Sequence, residues 1–356
     1  MNFTMVKSLT IPQGSVAQLA DANGNVMWNG SKVVLEVEKI TSNTYANSTT
    51  YSNEEFILLD IYPKTNGTVS VTYGDVTKTI TDTSGAAEPT AQKVFFGTFY
   101  GVSDSITTPS SGTLTIEGDC RSIGIGVYNK DKKWTGYCSC VTAINNLGGI
   151  THIGYQAFYE CLNLTKVVCG KNSQLTSIGN AAFSGCTNLT SVDFGENSKL
   201  ESIGTYAFSG CTSLTSVEIP DSVTHISNFV FNQCSNLTKV VCGKNSQITS
   251  IGDFAFAECS SLASVTIPNS VTSIGEYAFG ACPITSITIP DGVTSIGAGA
   301  FYICENLESV NFDNTVGWYI ADSDTATSGT PVDVTDSAAN ATLLTSTYAE
   351  SYWHRS

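Results

Sequence analysis

Basic side chains are scarce in this chain: 16 Lys and Arg stand against 31 Asp and Glu, a formal net charge of -15 in 356 residues. Binding to a phosphate backbone needs a stripe of neutralising cations, and the sequence has none, so nucleic acid is not an expected partner. Charged residues of both signs make up only 13% of the chain, yet no apolar run reaches the roughly 18 residues a membrane-crossing helix requires. Histidine is limited to His152, His225 and His354. A Gly-x-Ser-x-Gly elbow, a His-Glu-x-x-His pair and a phosphate-cradling loop are all missing, so neither an enzyme nor a cofactor is expected. The opening MNFTMVKSLTIPQGSV also lacks a basic region, an apolar core and a small-residue cleavage site, and does not read as a secretory signal.

What is present is repetition. The phrase Ile-Gly-x-x-Ala-Phe-x-x-Cys, followed by a short apolar strand, occurs seven times with its Ile at 153, 178, 203, 226, 251, 274 and 296. Successive spacings are 25, 25, 23, 25, 23 and 22 residues, the period of a solenoid. Within one coil, Leu262-x-x-Val265-x-Ile267 alternates as a half-buried strand does, and Pro268 ends it because it has no amide for a ladder. Ala-Phe-x-x-Cys is spaced for a tight arch with Phe and Cys inward. No coil can cover its own apolar face, so neighbours must stack into one core. Residues 163–179 and 236–252 differ at one position and lie 73 residues, or three coils, apart, which points to a three-coil duplication.

The repeat also accounts for most of the twelve cysteines. Cys161, Cys186, Cys211, Cys234, Cys259, Cys282 and Cys304 each follow the repeat Phe by three residues, and Cys169 and Cys242 fill the inward strand slot held elsewhere by Ile219, Ile267 or Ile289. Such thiols act as small buried hydrophobes, and a column of seven cannot pair off completely. Cys120 with Cys138 and Cys140 is the one loose grouping with zinc-like spacing, and no metal site is expected from it. The sequons at Asn163, Asn188 and Asn236 belong to the repeat itself and are explained by it without glycans.

The Ile274-Gly-Glu-Tyr-Ala-Phe279 phrase with Cys282, the strand from Leu262 to Pro268, and the Pro-x-x-Val-Thr-x-Ile links at 268–274 and 290–296 resemble the BspA-like leucine-rich repeat family of surface antigens and adhesins. Departures from the pattern, Ser227 for Gly, Val230 for Ala and Pro283 in a shortened coil, remove no inward apolar residue. The resemblance implies a solenoid over about half the chain and a surface-binding role. A second, short resemblance lies in the opening Ser-Leu-Thr-Ile-Pro and Ala-Asp-Ala-Asn-Gly elements, which are similar to the openings of phage and prophage structural proteins. It implies attachment to virion proteins through residues 1–28.

The expected fold is mainly β: an N-terminal β-hairpin (residues 1–28), a sandwich-like, Ig-like module (29–84), a second β module (85–140), a solenoid of about seven coils (141–315) and a C-terminal cap (316–356). Strand patterns at 32–40, 55–62, 68–73, 93–100, 113–117 and 123–128 support the β reading, with 84–92 the expected seam. Residues 138–149 read as an incomplete coil covering the first edge, Asp336 or Thr335 as the cap of a short helix, and Tyr352 and Trp353 as a cover for the last coil.

The candidate binding face follows from the alternation. Outward slots before the inward strand residue hold Lys166, Ser191, Ser216, Lys239, Ser264, Ser286 and Ser309, and those after it hold Val168, Asp193, Glu218, Val241, Thr266, Thr288 and Asn311. Stacking lines them into two columns suited to a protein or glycan on a bacterial or host surface. The expected function is non-enzymatic adhesion, displayed on a phage virion; the alternatives are a bacterial cell-surface or secreted adhesin and a structural spacer or decoration protein.

Overall fold

The computed structural model describes residues 141–147 and 150–356, and within residues 32–135 the backbone of the strands, with side chains only in part of the hairpin 68–81. The hairpin expected within residues 1–28, and Cys138 and Cys140, lie outside the described residues; Cys120 is described by its backbone alone.

Each coil has three sides: a short strand ending in the repeat Ile, an arch carrying Phe and Cys, and a second segment, a strand in every coil but the fifth, carrying the repeat Val or, in coil 6, Ile287. The arch is constant. From the repeat Ile to the inward strand residue is 14 residues in every coil except that of Pro283, where it is 13. The variation in period sits in the return link. It takes 11 residues in coils 1, 2 and 4, where Gly-x-Asn-Ser leads back, and 9 in coils 3, 5 and 6, where Pro-x-Ser or Pro-x-Gly does.

The arch holds the core. Phe158, Phe183, Phe208, Phe231, Phe256, Phe279 and Phe301 are buried and stack nearly parallel, with ring centroids 5.1 to 5.6 Å apart. Backbone bonds tie each arch to the next, as in Phe183 N–H to Ala207 O at 2.8 Å and Phe208 N–H to Val230 O at 2.9 Å. The cysteines add a second link: Cys186, Cys211, Cys234, Cys259, Cys282 and Cys304 each donate S–H to the carbonyl of the Phe one coil earlier, at 3.1 to 3.2 Å. Nine cysteines are described and all are free thiols. The carboxamides of two sequons are committed to stacking, Asn188 to Leu162 O and Asn236 to Thr212 O, each at 2.7 Å.

Both ends of the solenoid are closed by pairing. Val141–Asn146 runs parallel to Lys166–Val168 on one side and antiparallel to Lys32–Glu38 on the other, while Cys120–Gly124 lies parallel to His152–Ile153 and antiparallel to Phe56–Pro63. The two coil ladders thus continue into two N-terminal sheets, which removes the open edge that would template aggregation. Strands on either side of the expected 84/85 boundary interleave in both sheets: Ser111–Gly118 lies between Lys32–Glu38 and Thr68–Tyr73, and Gln92–Phe99 pairs with Phe56–Pro63. At the other end, Tyr352–Arg355 returns antiparallel onto Ser295–Ile296, burying Trp353 against Phe312. Asp336 caps the helix Ser337–Thr342 by accepting from the N–H groups of Ala338 and Ala339.

The strand side of coils 4 and 5 is less well covered. Val240, Cys242 and Val265 are half-buried where their counterparts in coils 1 to 3 are buried. Burial pushes the Cys242 thiol up to about 11, against about 12 for Cys169. Since the thiolate is the nucleophile, alkylation with N-ethylmaleimide at pH 8 to 9 should label Cys242 before any other described cysteine, as peptide mass mapping would read. Earlier labelling of one of the other eight would contradict this account of the core.

Candidate functional site

The strand that carries the outward columns does not run as one unbroken ladder. Lys166–Val168 pairs with Ser191–Asp193, Ser216–Ile219 with Lys239–Cys242, and Ser286–Ile289 with Ser309–Phe312. Among the described residues no pairing joins Ser191–Asp193 to Ser216–Ile219, and residues 264–267 are not held in a ladder at all. The opposite ladder still joins coils 2 and 3, Ser177–Ile178 to Ser202–Ile203, and is interrupted one coil later, between Ser202–Ile203 and His225–Ile226, while the arches stay bonded throughout.

The link between the strands changes length at the same place. Coil 2 returns through the 11-residue link Val192 to Ile203, and coil 3 through the 9-residue link Val217 to Ile226, so the two loops cannot stack residue on residue. Where like meets like, in coils 1 and 2, they do: Asn197 donates to Asn172 Oδ1 at 2.9 Å, Lys199 to Gln174 Oε1 at 2.8 Å, and Lys171 pairs with Glu196 at 2.7 Å. At the mismatch the Thr224 N–H to Glu201 O bond is stretched to 3.4 Å, and the Ser222 hydroxyl bridges the gap by donating to Leu200 O at 2.7 Å. Ser270 plays the same part between coils 4 and 5, donating to Ile248 O at 2.8 Å.

A cleft of about 590 Å³ opens at the coil 2 to coil 3 mismatch. Its walls carry Asp193 and Glu196 from the long link side and Glu218 and Asp221 from the short one, with Ser216, Ser222 and Asn197 between them. Asp193 is held by an N–H from Gly195 at 2.8 Å, and Glu196 sits below the usual carboxylate range because Lys171 hydrogen-bonds it. That ion pair is largely exposed, with 65% and 74% of the side chains accessible, and adds little to stability. Asp221 has one carboxylate oxygen buried beside Gly243 with no hydrogen-bond partner. Among the described residues no Lys or Arg lines this cleft.

Of the residues expected on the face, Asp193, Ser216 and Glu218 meet in the cleft, with Ser191 on the adjoining strand. Lys166 stands one coil before it, and Lys239 one coil beyond. Ser264, Thr266, Ser286, Thr288 and Asn311 are exposed on the more distant coils and form no common site with it. Glu196 and Asp221 were not anticipated, since they sit on links rather than strands. The signal for them is the switch from Phe194-Gly-Glu-Asn-Ser to Ile219-Pro-Asp-Ser in successive coils. His152 and His225 are exposed beside Thr151 and Thr224, and His354 is buried in the cap against Ser323 O. No group of His, Cys, Asp and Glu among the described residues has metal-binding geometry, and no described helix is long and apolar enough to cross a membrane.

A stack of strand, arch and strand, with apolar side chains at fixed places, defines a leucine-rich repeat solenoid. Residues 151–248 and 244–323 match the model of the BspA type leucine rich repeat region in six copies, and this part of the chain belongs to that family. Among solved structures, a leucine rich cell surface protein from Faecalibacterium prausnitzii A2-165 is 30% identical over 56% of this chain, with a TM-score of 0.44. This chain spans 55% of that protein's length. A leucine-rich repeat protein from Bacteroides ovatus ATCC 8483 is 23% identical over 69% of this chain and 70% of its own, with a TM-score of 0.42. The leucine rich repeat protein of T. pallidum is 25% identical over 53% and 79%, with a TM-score of 0.32. No curated protein matches the chain.

Proposed function

We propose that this is a non-enzymatic adhesion protein whose solenoid binds a partner on a bacterial or host surface through the strand face, centred on the cleft between coils 2 and 3. The observation that carries this reading is the cleft itself: a polar recess in an otherwise stacked array, with four carboxylates and no cation in its walls. A protein partner presenting Lys or Arg fits that charge, and attachment should weaken with salt as exposed pairs are screened. The BspA-type repeat supports display at a cell surface. Display on a phage particle is the second reading, favoured by the resemblance of residues 1–28 to phage structural proteins.

Two measurements test this. Asp193→Lys with Glu218→Lys should reduce retention of the labelled chain on intact bacterial and epithelial cells at least about tenfold, the effect of roughly 1.4 kcal/mol. The thermal midpoint should stay unchanged, because both side chains are exposed. Retention equal to wild type would remove this face as the binding site. Mass spectrometry on proteins shaved from intact cells and on purified induced particles decides the carrier: peptides found only in particles establish virion display, and peptides found only on cells exclude it.

A further inference from the structure

A second surface lies on the arch side, away from the strand face. The fourth residue of each repeat phrase has a left-handed backbone, with φ between 50° and 69° at Gln156, Ala181, Tyr206, Phe229, Phe254, Tyr277 and Gly299. Bulky side chains seldom adopt this conformation, which suits Gly or Asn. Four consecutive coils nevertheless place an aromatic ring there. Tyr206, Phe229, Phe254 and Tyr277 stack at 4.4, 4.7 and 4.9 Å, nearly parallel, in a ladder along the outside of the arch. Their stacking offsets part of the backbone strain.

The two ends of this ladder differ. At the far end Gly299 lies under the Tyr277 ring, where a Cβ would approach Cδ1 to 2.6 Å, and Tyr302 meets the same ring edge-on at 5.9 Å. At the near end the next coil supplies Ala181, so among the described residues Tyr206 has one ring face on Phe229 and no ring on the other, and it is 42% exposed. The open face is bordered by uncharged groups. Positions three and four of coils 1 to 3 are Tyr155, Gln156, Asn180, Ala181, Thr205 and Tyr206. Tyr155 is 70% exposed and stands two coils from Tyr206, about 10 Å along the stack. Asn180 is exposed and its Oδ1 accepts from Thr205 N–H at 3.0 Å, while among the described residues its Nδ2 and the half-buried Gln156 amide have no hydrogen-bond partner.

We infer that this exposed surface over coils 1 to 3 is a saccharide-binding site, in which a pyranose ring stacks on the open face of Tyr206 over Ala181 while Asn180 and Gln156 bond its hydroxyls. A flat apolar ring face beside unpaired carboxamides matches a ligand with one apolar face and a rim of hydroxyls. The absence of charge at these six positions argues against an ionic ligand. In coils 4 to 6 the third position becomes Asn228, Asp253 and Glu276, and the rings are covered on both faces, so the site does not extend that way.

The test uses the full chain and a fixed panel of probes, namely cellotriose, maltotriose, mannotriose, N-acetylchitotriose and mucin O-glycans, followed by saturation-transfer NMR. At least one should bind. Tyr206→Ala should then weaken it tenfold or more, while Ala181→Tyr, which extends the ladder over the open face, should abolish it with the fold intact. Asp193→Lys with Glu218→Lys should leave it unchanged, separating this site from the strand face. Failure of every probe to bind, or binding that survives both Tyr206→Ala and Ala181→Tyr, would overturn the assignment.

Discussion

Replacing Phe208 by alanine is expected to lower the unfolding free energy by about 3 to 5 kcal/mol, the range for emptying a fully buried aromatic site. Phe208 is inaccessible to solvent and contacts rings on three sides: Phe183 at 5.2 Å, Phe231 at 5.6 Å and the edge of Phe194 at 6.3 Å. The arch backbone is bonded above and below it, so the surroundings cannot close on the cavity. Location makes the effect larger than energy alone. The Val-side ladder stops between coils 2 and 3 and the Ile-side ladder between coils 3 and 4, so neither runs through coil 3, and the arch with its Phe column is what continues across it. In a one-dimensional array each interface contributes its own term, so weakening the coil that neither ladder crosses should uncouple the two stacks. The expected result is a urea transition that separates into two, with hydrogen exchange at coils 1 and 2 no longer coincident with coils 4 to 7. Phe279→Ala, in a coil whose Ile strand is paired on both sides, should cost a similar amount in one transition. A loss under 1 kcal/mol for Phe208→Ala, or identical splitting in both variants, would refute this description of the junction.

The repeat made the solenoid readable because it constrains each position seven times over. The Ile, Phe, Cys and Leu slots are buried in every coil, including the coil where Ser227 and Val230 break the phrase. The helix cap was readable to within Thr335 or Asp336 for a different reason: the capping carboxylate, that of Asp336, satisfies two amides only a few residues away. The joining of residues 32–124 to the solenoid was not. That join depends on strand partners up to about a hundred residues apart, as in Val37 with Val141, and alternation reports which face a residue takes but not which strand it pairs with. The cleft was half legible. Asp193 and Glu218 follow from strand alternation, whereas their separation into opposite walls follows from comparing link lengths between neighbouring coils. The aromatic ladder was hidden because its position in the phrase holds Gln, Ala, Tyr, Phe, Phe, Tyr and Gly in turn and so looks unconstrained. Its constraint lies in the backbone conformation, which sequence composition does not announce.

Gly195→Ala should be the second most damaging single change, at about 3 kcal/mol or more, although it adds one methyl group to a surface link. Two terms contribute. The backbone at Gly195 has φ +81°, where an L side chain costs about 1 to 3 kcal/mol. The added Cβ would also overlap the carbonyl of Gly170 in the coil below, reaching 2.7 Å from its carbon. Neither loop is free to move aside: Cys169 N–H to Asp193 O at 2.8 Å and Asn172 N–H to Glu196 O at 2.9 Å fix their separation on both flanks. Gly210→Ala separates the terms, since Gly210 has φ +71° but its nearest neighbours to a new Cβ are 3.7 Å away, ordinary contact. It should cost only the backbone part, about 1 kcal/mol. The difference between the two urea midpoints therefore measures the clash alone. Because Gly195 also lines the cleft, cell retention of Gly195→Ala should fall beyond what its lower stability explains, while Gly210→Ala should retain wild-type attachment. Equal midpoints for the two variants would mean that the stacked links yield, and that the close fit of coil 1 on coil 2 does not hold the cleft wall in place.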